Sequence, residues 1–324
     1  MKRFLVLIIA CLSTLGACSA ADDADGTIAG PSPEEADATT STSTTLPVLA
    51  APDRYVPVTG EPAPEAKSMA TDVLQAVGTY EVGVAVAGLP DRMAGLADPA
   101  TVAGATALLD DAVASSIEIV YPQLGGLTDT EAAIMLVYRQ ITLDREGQRT
   151  EETRTADVRL VQSPTGWSLS EIASIGLGPP PGSTPLSPAA EAVLSNPAID
   201  LPASARWDIE AGIVDDRVLE VLTRVATVAP VGVTSFKTGH PVNVFGASYV
   251  SNHTEGRAVD LWAFDGQPVV LQRAEGSKLQ EVVRELIADG AVTELGAPWD
   301  VDGPGGPSFA NTVHQDHLHL AFDD

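Results

Sequence analysis

Apolar residues recur at helical and then at strand spacing through the first half of the folded sequence. The segment PAPEAKSMATDVLQAVGTY places Met69, Val73, Leu74 and Val77 on one face and predicts a helix. Strand-like runs follow it, namely SSIEIVYPQL, AAIMLVYRQITLD, TADVRLVQ and WSLSEIAS, with REGQ and SPTG as turns between the later ones. One helix followed by a meander of strands predicts an α+β domain over residues 61–176.

A second set of elements follows the stretch GLGPPPGSTPLSP, whose prolines predict a stiff connector over residues 177–188. DDRVLEVLTRVATV predicts an amphipathic helix capped by Asp215, and SKLQEVVRELIADG predicts another that opens with Ser277 and Gln280. The runs VGVTSF, AVDLW, AVTELG and DHLHLAF predict strands. Helices and strands do not alternate regularly, so residues 189–324 are also predicted to be α+β.

The helix-and-meander pattern of residues 61–176 resembles the NTF2-like or cystatin-like fold. This part of the chain contains neither histidine nor cysteine, and the resemblance specifies no chemistry. We interpret residues 61–176 as a scaffold or as a surface for a protein partner.

The first residues have the features of an export signal. Lys2 and Arg3 precede the apolar run FLVLIIACLSTL, and LGAC ends at Cys18. This arrangement resembles the lipobox of bacterial lipoproteins, so we interpret residues 1–18 as a signal peptide with its lipobox cysteine. The resemblance implies that the chain is cleaved before Cys18 and that Cys18 carries the lipid. The acidic, Ser/Thr-rich residues 19–60 predict a disordered tether. The expected location is the outer face of the cytoplasmic membrane, with the lipid as anchor.

Charge and cysteine content limit the possible functions. The net charge is −26, which argues against a nucleic-acid partner because phosphate binding requires clustered Lys and Arg. Of the 2 cysteines, Cys11 lies in the predicted signal peptide and Cys18 is the predicted lipid attachment site. No cysteine is left for a disulfide or a thiolate site, so any metal must be held by His, Asp and Glu.

All 5 histidines lie at or after His240. In SNHTEGRAVDLW, His253 precedes a predicted strand that carries Asp260 among apolar neighbours, where a lone carboxylate would be costly. In DHLHLAF, His317 and His319 project to the same face of a strand. His253, Asp260 and His319 together provide three ligands, the number that a catalytic zinc ion uses.

SNHTEGRAVD followed by HLH resembles the zinc D-alanyl-D-alanine peptidases of the cell wall and the related zinc-bearing domain of hedgehog proteins. The resemblance covers about residues 205–324. It implies a mononuclear Zn²⁺ site that activates water to hydrolyse peptidoglycan stem peptides or cross-links. Matching positions are Ser251, His253, Gly256, Ala258 and Asp260 in the first motif and His317 and His319 in the second.

The resemblance leaves the general base open between two adjacent residues. Some family members use a glutamate three positions before the last ligand, where this chain has Asp316. Others use the first His of His-x-His, which is His317. We favour His317, because the shorter carboxylate reaches less far.

Substrate binding departs from the family pattern. The carboxypeptidases of the family hold the substrate carboxylate with an arginine, whereas this chain offers Lys237 or His240, so endopeptidase action is an alternative. Trp299 and Phe309, in a Gly/Pro-rich loop, could form a substrate wall or could simply pack the loop. Glu294 could orient a ligand imidazole or end a solvated strand, and His314 has no predicted role.

Two other functions remain open. The hedgehog relatives indicate that such a site can be structural, which would make the chain a zinc-stabilised binding protein without turnover. It could also be an adaptor lipoprotein whose residues 61–176 bind the partner. Serine chemistry is disfavoured, since the Ser-x-x-Lys and Gly-x-Ser-x-Gly motifs are absent.

Overall fold

A long helix packs across a four-stranded antiparallel sheet in the first half of the protein. In a computed structural model, which describes residues 46–109, 112–178, 182 and 185–323, the sheet has the order β1-β2-β3-β4. Its elements are α1 (Pro64–Gly78), β1 (Ala114–Leu127), β2 (Glu131–Leu143), β3 (Arg149–Ser163) and β4 (Gly166–Ser174), with α2 (Leu89–Arg92) and α3 (Pro99–Ala105) between α1 and β1.

Several sequence predictions lie outside the described residues. The signal peptide, Cys18 and residues 19–45 of the tether belong to this group, as do residues 179–181, 183 and 184 of the connector. In the described chain no helix is both long enough and apolar enough to cross a membrane.

The last stretch of the predicted tether packs against α1 and β1. Arg54 forms an ion pair with Asp72 of α1 at 2.5 Å, and the hydroxyl of Ser116 donates to the carbonyl of Ala50 at 3.0 Å. The packed part of the chain therefore begins before residue 61, within the segment that the sequence predicted to be a disordered tether.

A larger mixed sheet forms the second half, with the order β10-β9-β11-β7-β6-β5 and β8 paired with β7. The pairs β5–β6 and β9–β10 are parallel and the others antiparallel. Its strands are β5 (Ile199–Asp200), β6 (Val231–Ser235), β7 (Ala258–Phe264), β8 (Gln267–Pro268), β9 (Glu294–Gly296), β10 (Ser308–Phe309) and β11 (Leu318–Ala321); its helices are α4 (Pro188–Leu194), α5 (Ala203–Glu210), α6 (Asp216–Val228) and α7 (Lys278–Ala288).

Each sheet has its own apolar core. Val73 and Leu74 of α1 lie in the first core, and Leu222 of α6 and Val283 of α7 lie in the second. Each fully buried side chain of this size contributes about 1.5–3 kcal/mol relative to an exposed one. Helices α1, α6 and α7 therefore lie where the sequence periodicity predicted, while α2, α3, α4 and α5 were not predicted. The α+β class is confirmed, whereas the NTF2-like and peptidase-like assignments stay predictions.

Hydrogen bonds between side-chain hydroxyls and main-chain groups join β3 to the second half of the chain. The hydroxyl of Thr155 donates to the carbonyl of Thr234 in β6 at 2.5 Å, and its N–H donates to the hydroxyl of Ser204 in α5 at 3.2 Å. These groups are buried, so the contacts satisfy polar atoms that would otherwise be stranded away from water.

Candidate metal centre

A hydrogen-bonded turn before β7 carries His253. The N–H of Thr254 donates to the carbonyl of Ser251 at 2.9 Å, and the N–H of Gly256 donates to the carbonyl of His253 at 3.0 Å. Gly256 has a φ of 73°, in the left-handed region that favours glycine. The turn thus fixes the position of His253 at the entrance to β7.

Strand register brings the other two predicted ligands together. His319 of β11 lies directly opposite Asp260 of β7, while Leu318 and Leu320 point into the second core. The Nδ1 atom of His319 lies 2.9 Å from Oδ1 of Asp260. The Nε2 atom of His253 lies 3.1 Å from each of these two atoms. Three ligand atoms therefore form a nearly equilateral triangle.

Both imidazoles are oriented through their second nitrogen. Nδ1 of His253 contacts the carbonyl oxygen of Phe236, which can only accept, so Nδ1 carries the proton and Nε2 presents its lone pair to the triangle. Nε2 of His319 faces Oε1 of Glu294 at 3.6 Å, and Asn252 holds Glu294 through a 3.1 Å hydrogen bond. Oxygen partners of this kind orient imidazoles at metal sites.

The triangle has the dimensions of a metal site. Ligand atoms bound tetrahedrally at about 2.0–2.1 Å from zinc lie about 3.3 Å apart, close to the distances of 2.9–3.1 Å here. Two neutral imidazoles and one carboxylate also suit that ion. The residues of the triangle therefore fit a metal ion with little movement.

His240 belongs to an overlapping group. His240, His253 and Asp260 have ligand atoms within 4.8 Å of one another, and this group could hold a metal ion. The His240 ring stacks on His253 with centroids 3.8 Å apart, and its Nδ1 lies 2.8 Å from the carbonyl of Pro241. We favour His319 as the third ligand because its Nδ1 atom lies 3.1 Å from Nε2 of His253 and 2.9 Å from Oδ1 of Asp260.

The electrostatics of the triangle favour a cationic occupant. Burial would raise the pKa of Asp260, but the neighbouring imidazoles of His253 and His317 hold it well below its ordinary value. Burial would lower the pKa of His319, but its hydrogen bond to Asp260 and the nearby carboxylate of Glu294 raise it to about 9. The two carboxylates thus stabilise positive charge at this point, either a proton or a metal ion.

His317 and Asp316 form a buried pair beside the triangle. Nδ1 of His317 donates to Oδ1 of Asp316 at 2.7 Å, and Nε2 of His317 lies 3.9 Å from Oδ2 of Asp260. Oδ2 of Asp316 accepts from Nζ of Lys67 at 2.6 Å and from the N–H of Leu124 at 2.9 Å. Burial would raise the pKa of Asp316, but Lys67 and His317 lower it. Asp316 is therefore an ionised carboxylate with both oxygens engaged.

A cavity of about 540 Å³ opens onto the triangle. The residues that line it in the described chain include no lysine or arginine, whereas Asp260, Glu294 and Asp323 all contribute carboxylates. Phe245, Tyr249 and Phe309 give it apolar walls. The cavity can therefore accept an extended, partly apolar ligand, and its described lining offers no lysine or arginine to a ligand carboxylate.

The predicted substrate-binding residues are separated by the fold. His240 lines the cavity, but Lys237 is exposed and is not part of the lining. Trp299 is only 7% exposed and packs in the second core, while Phe309 lies in the cavity wall. His314 also lines the cavity, and its Nδ1 contacts Oδ1 of Asn311 at 2.8 Å. Burial lowers the pKa of His314 well below its usual value.

Sequence reasoning missed Lys67 and Gln123, both fully buried beside the site. Lys67 lies on the buried face of α1, one helical turn before Ala70 and Thr71. A charged residue on a buried helix face indicates a buried partner of opposite charge, and this was the signal in the sequence that could have identified it. Gln123 lies in β1 and gave no comparable signal.

The chain matches no family model, no curated protein and no solved structure.

Proposed function

We propose that the protein is a zinc metallopeptidase that hydrolyses peptidoglycan stem peptides or cross-links from a lipid anchor outside the cytoplasmic membrane. The observation that carries this proposal is the triangle of His253, Asp260 and His319, which opens onto a cavity beside the His317–Asp316 pair. Such a site combines a metal-ligand set with an oriented proton acceptor.

Zinc held by the triangle would polarise a peptide carbonyl and lower the pKa of a bound water to about 7. His317 is placed to accept a proton, because Asp316 binds its Nδ1–H and leaves Nε2 directed away from the pair. Asp316 is a poorer candidate for the base, since Lys67, Leu124 and His317 already occupy its two oxygens. We therefore assign His317 as the general base and Asp316 as the residue that orients it.

The cavity lining favours cleavage of an internal bond. A carboxypeptidase holds a free terminal carboxylate next to the scissile bond, and a cationic side chain suits that task. The described lining contains no lysine or arginine for that task, and Glu294 and Asp323 add carboxylates outside the triangle that would repel the substrate terminus. Cross-linked peptides, in which that carboxylate is remote or absent, fit this environment better than a free stem peptide.

Muropeptide digestion by the zinc-loaded chain tests the proposal. We expect wild-type protein to cleave cross-linked dimers faster than pentapeptide monomers, and His317→Ala and His319→Ala to lose turnover. Zinc content separates the two variants, because only His319→Ala should lose the metal. Failure of stoichiometrically zinc-loaded wild type to cleave any muropeptide would refute the enzyme assignment.

A zinc-stabilised binding protein without turnover is the second candidate. If catalysis required Asp316 as the base, its contacts would favour this candidate. Both of its carboxylate oxygens are occupied by Lys67, Leu124 and His317, so neither is free to take a proton from water. This candidate predicts stoichiometric zinc, muropeptide binding by wild type and no cleavage. If His317→Ala instead retains turnover, the general base is Asp316 and this second candidate is refuted.

A further inference from the structure

We infer that the first half of the chain supplies two positioning residues to the metal centre, Gln123 for the ligand Asp260 and Lys67 for the Asp316–His317 pair. This inference rests on the proposed function for its kinetic part, while its metal-binding part can be tested without catalysis. Both residues lie outside the second sheet, which carries the ligands themselves.

Gln123 of β1 holds the outer oxygen of the carboxylate ligand. Its Nε2 donates to Oδ2 of Asp260 at 2.5 Å, so Oδ1 alone faces the ligand triangle. Its Oε1 accepts from the hydroxyl of Thr234 in β6. The amide is fully buried and its orientation is fixed at both ends. Gln123 therefore holds Asp260 in a one-oxygen binding mode toward the metal position.

Lys67 of α1 performs the corresponding task for the proton acceptor. Its ammonium group lies between Asp316, at 2.6 Å, and Glu61, with both partners fully buried as side chains. The N–H of Leu124 in β1 adds a second donor to the same Asp316 oxygen at 2.9 Å. The remaining oxygen, Oδ1, is left for Nδ1–H of His317. Lys67 thereby fixes which oxygen orients the imidazole and keeps the carboxylate ionised.

The two contacts have different expected consequences. Loss of an outer-shell partner of a metal ligand weakens metal binding by about 10–100-fold. Loss of a residue that orients the base lowers the rate of the chemical step and leaves substrate and metal binding largely intact. A purely structural role would instead lower stability without selective effects on either quantity.

Zinc titration of the full chain against a competing chelator tests Gln123. We expect Gln123→Leu to bind zinc about 10–100-fold more weakly than wild type. Gln140→Leu is the matched control, because Gln140 lies in the neighbouring strand β2, bonds to Ser115 and does not contact the site. Gln123→Met provides a second variant if the leucine variant does not fold. Zinc affinity equal to that of wild type in a folded Gln123 variant would overturn this assignment.

Kinetics and ¹⁵N NMR test Lys67. Lys67→Met would leave two buried carboxylates, Glu61 and Asp316, without their ammonium partner. It is therefore combined with Glu61→Gln, which removes the charge of one of them. We expect kcat to fall at least tenfold with KM and zinc affinity within about threefold of wild type. We also expect the ¹⁵N shifts of His317 to show loss of the Nδ1–H tautomer. Unchanged kcat and unchanged His317 shifts in the folded variant would overturn the role of Lys67.

The outcomes separate this inference from the proposed function. Wild type that binds zinc but cleaves nothing refutes the peptidase assignment, while the zinc titration of Gln123 variants and the NMR shifts of His317 still decide the positioning roles. Wild type that binds no zinc refutes both the metal centre and the role of Gln123.

Discussion

The α-carbon of Gly256 lies so close to the main-chain carbonyl oxygen of Ile213 that a β-carbon at position 256 would overlap that oxygen. The carbonyl of Gly256 in turn accepts the N–H of Asp215, the cap of α6, at 2.9 Å. The turn that carries His253 is therefore locked against the segment that precedes α6. This contact connects the stability of the second core with the geometry of the metal centre.

Gly256→Ala should disrupt both stability and metal binding. The alanine would have to adopt a left-handed conformation, which costs about 1–2 kcal/mol, and would also collide with Ile213. Gly266→Ala is the control, because Gly266 has a φ of 71° with open space around its β-position. We expect urea unfolding to show a loss of about 1–2 kcal/mol for Gly266→Ala and a larger loss for Gly256→Ala. Equal losses would show that the contact with Ile213 can relax.

His319 and His240 compete for the place of the third ligand, and substitution distinguishes them. Loss of a residue that only orients a ligand weakens zinc binding by about 10–100-fold. His319→Ala removes a ligand itself and should weaken zinc binding by more than this. His240→Phe keeps a ring to stack on His253 and should retain zinc within about tenfold. Zinc content after dialysis against a chelator provides the measurement. Loss of zinc in His240→Phe and its retention in His319→Ala would assign the ligand to His240.

Zinc should stabilise the protein against heat through the triangle. At a free concentration 100 times its dissociation constant, a ligand of the folded state contributes about 2.7 kcal/mol. We expect this stabilisation to raise the melting temperature by roughly 5–10 °C. The shift should disappear in His253→Ala but persist in Lys237→Ala, whose side chain is exposed outside the cavity. An equal shift in both variants would indicate a different zinc site.

The cap of α6 should give a stability difference that depends on pH. Hydrogen bonds and charge from Arg217 lower the pKa of Asp215 below its unfolded value. The contribution of the charge is therefore present above about pH 4 and lost as pH falls through the folded pKa. Asp215→Asn keeps a capping oxygen but removes the charge. It should destabilise the protein at pH 7 by about 0.3–1 kcal/mol, given solvent screening.

Urea unfolding at two pH values measures this difference. The gap between wild type and Asp215→Asn should be largest at pH 7 and should narrow as pH falls below about 4. A gap that stays constant over this range would mean that the cap acts through geometry alone.

Local patterns predicted the parts of the fold that depend on neighbours in sequence. Helices α1, α6 and α7 lie where apolar periodicity and capping residues placed them. The period of two in DHLHLAF correctly put Leu318 and Leu320 in the core and His319 on the opposite face. These features follow from burial of one face of each element.

The contacts that complete the site were not predictable in this way. Lys67 and Asp316 are 249 residues apart and Gln123 and Asp260 are 137 apart. Periodicity indicates which face of an element is buried, but it does not indicate what that face meets. Trp299 illustrates the same limit, because its loop returns the ring to the second core, which also contains Leu295 and Ala297. Composition alone did not distinguish a packed aromatic from one exposed to a ligand.

The buried chain of charges from Glu61 through Lys67 to Asp316 has a consequence for how this protein could arise or be rearranged by recombination. A hybrid that joined residues 189–324 to a foreign first half would keep every metal ligand. It would nevertheless leave the Asp316 carboxylate without the ammonium group of Lys67, and removing one partner of a buried ion pair costs about 3–5 kcal/mol. It would also leave Oδ2 of Asp260 without the amide of Gln123. The two halves are therefore expected to be inherited together rather than exchanged as modules.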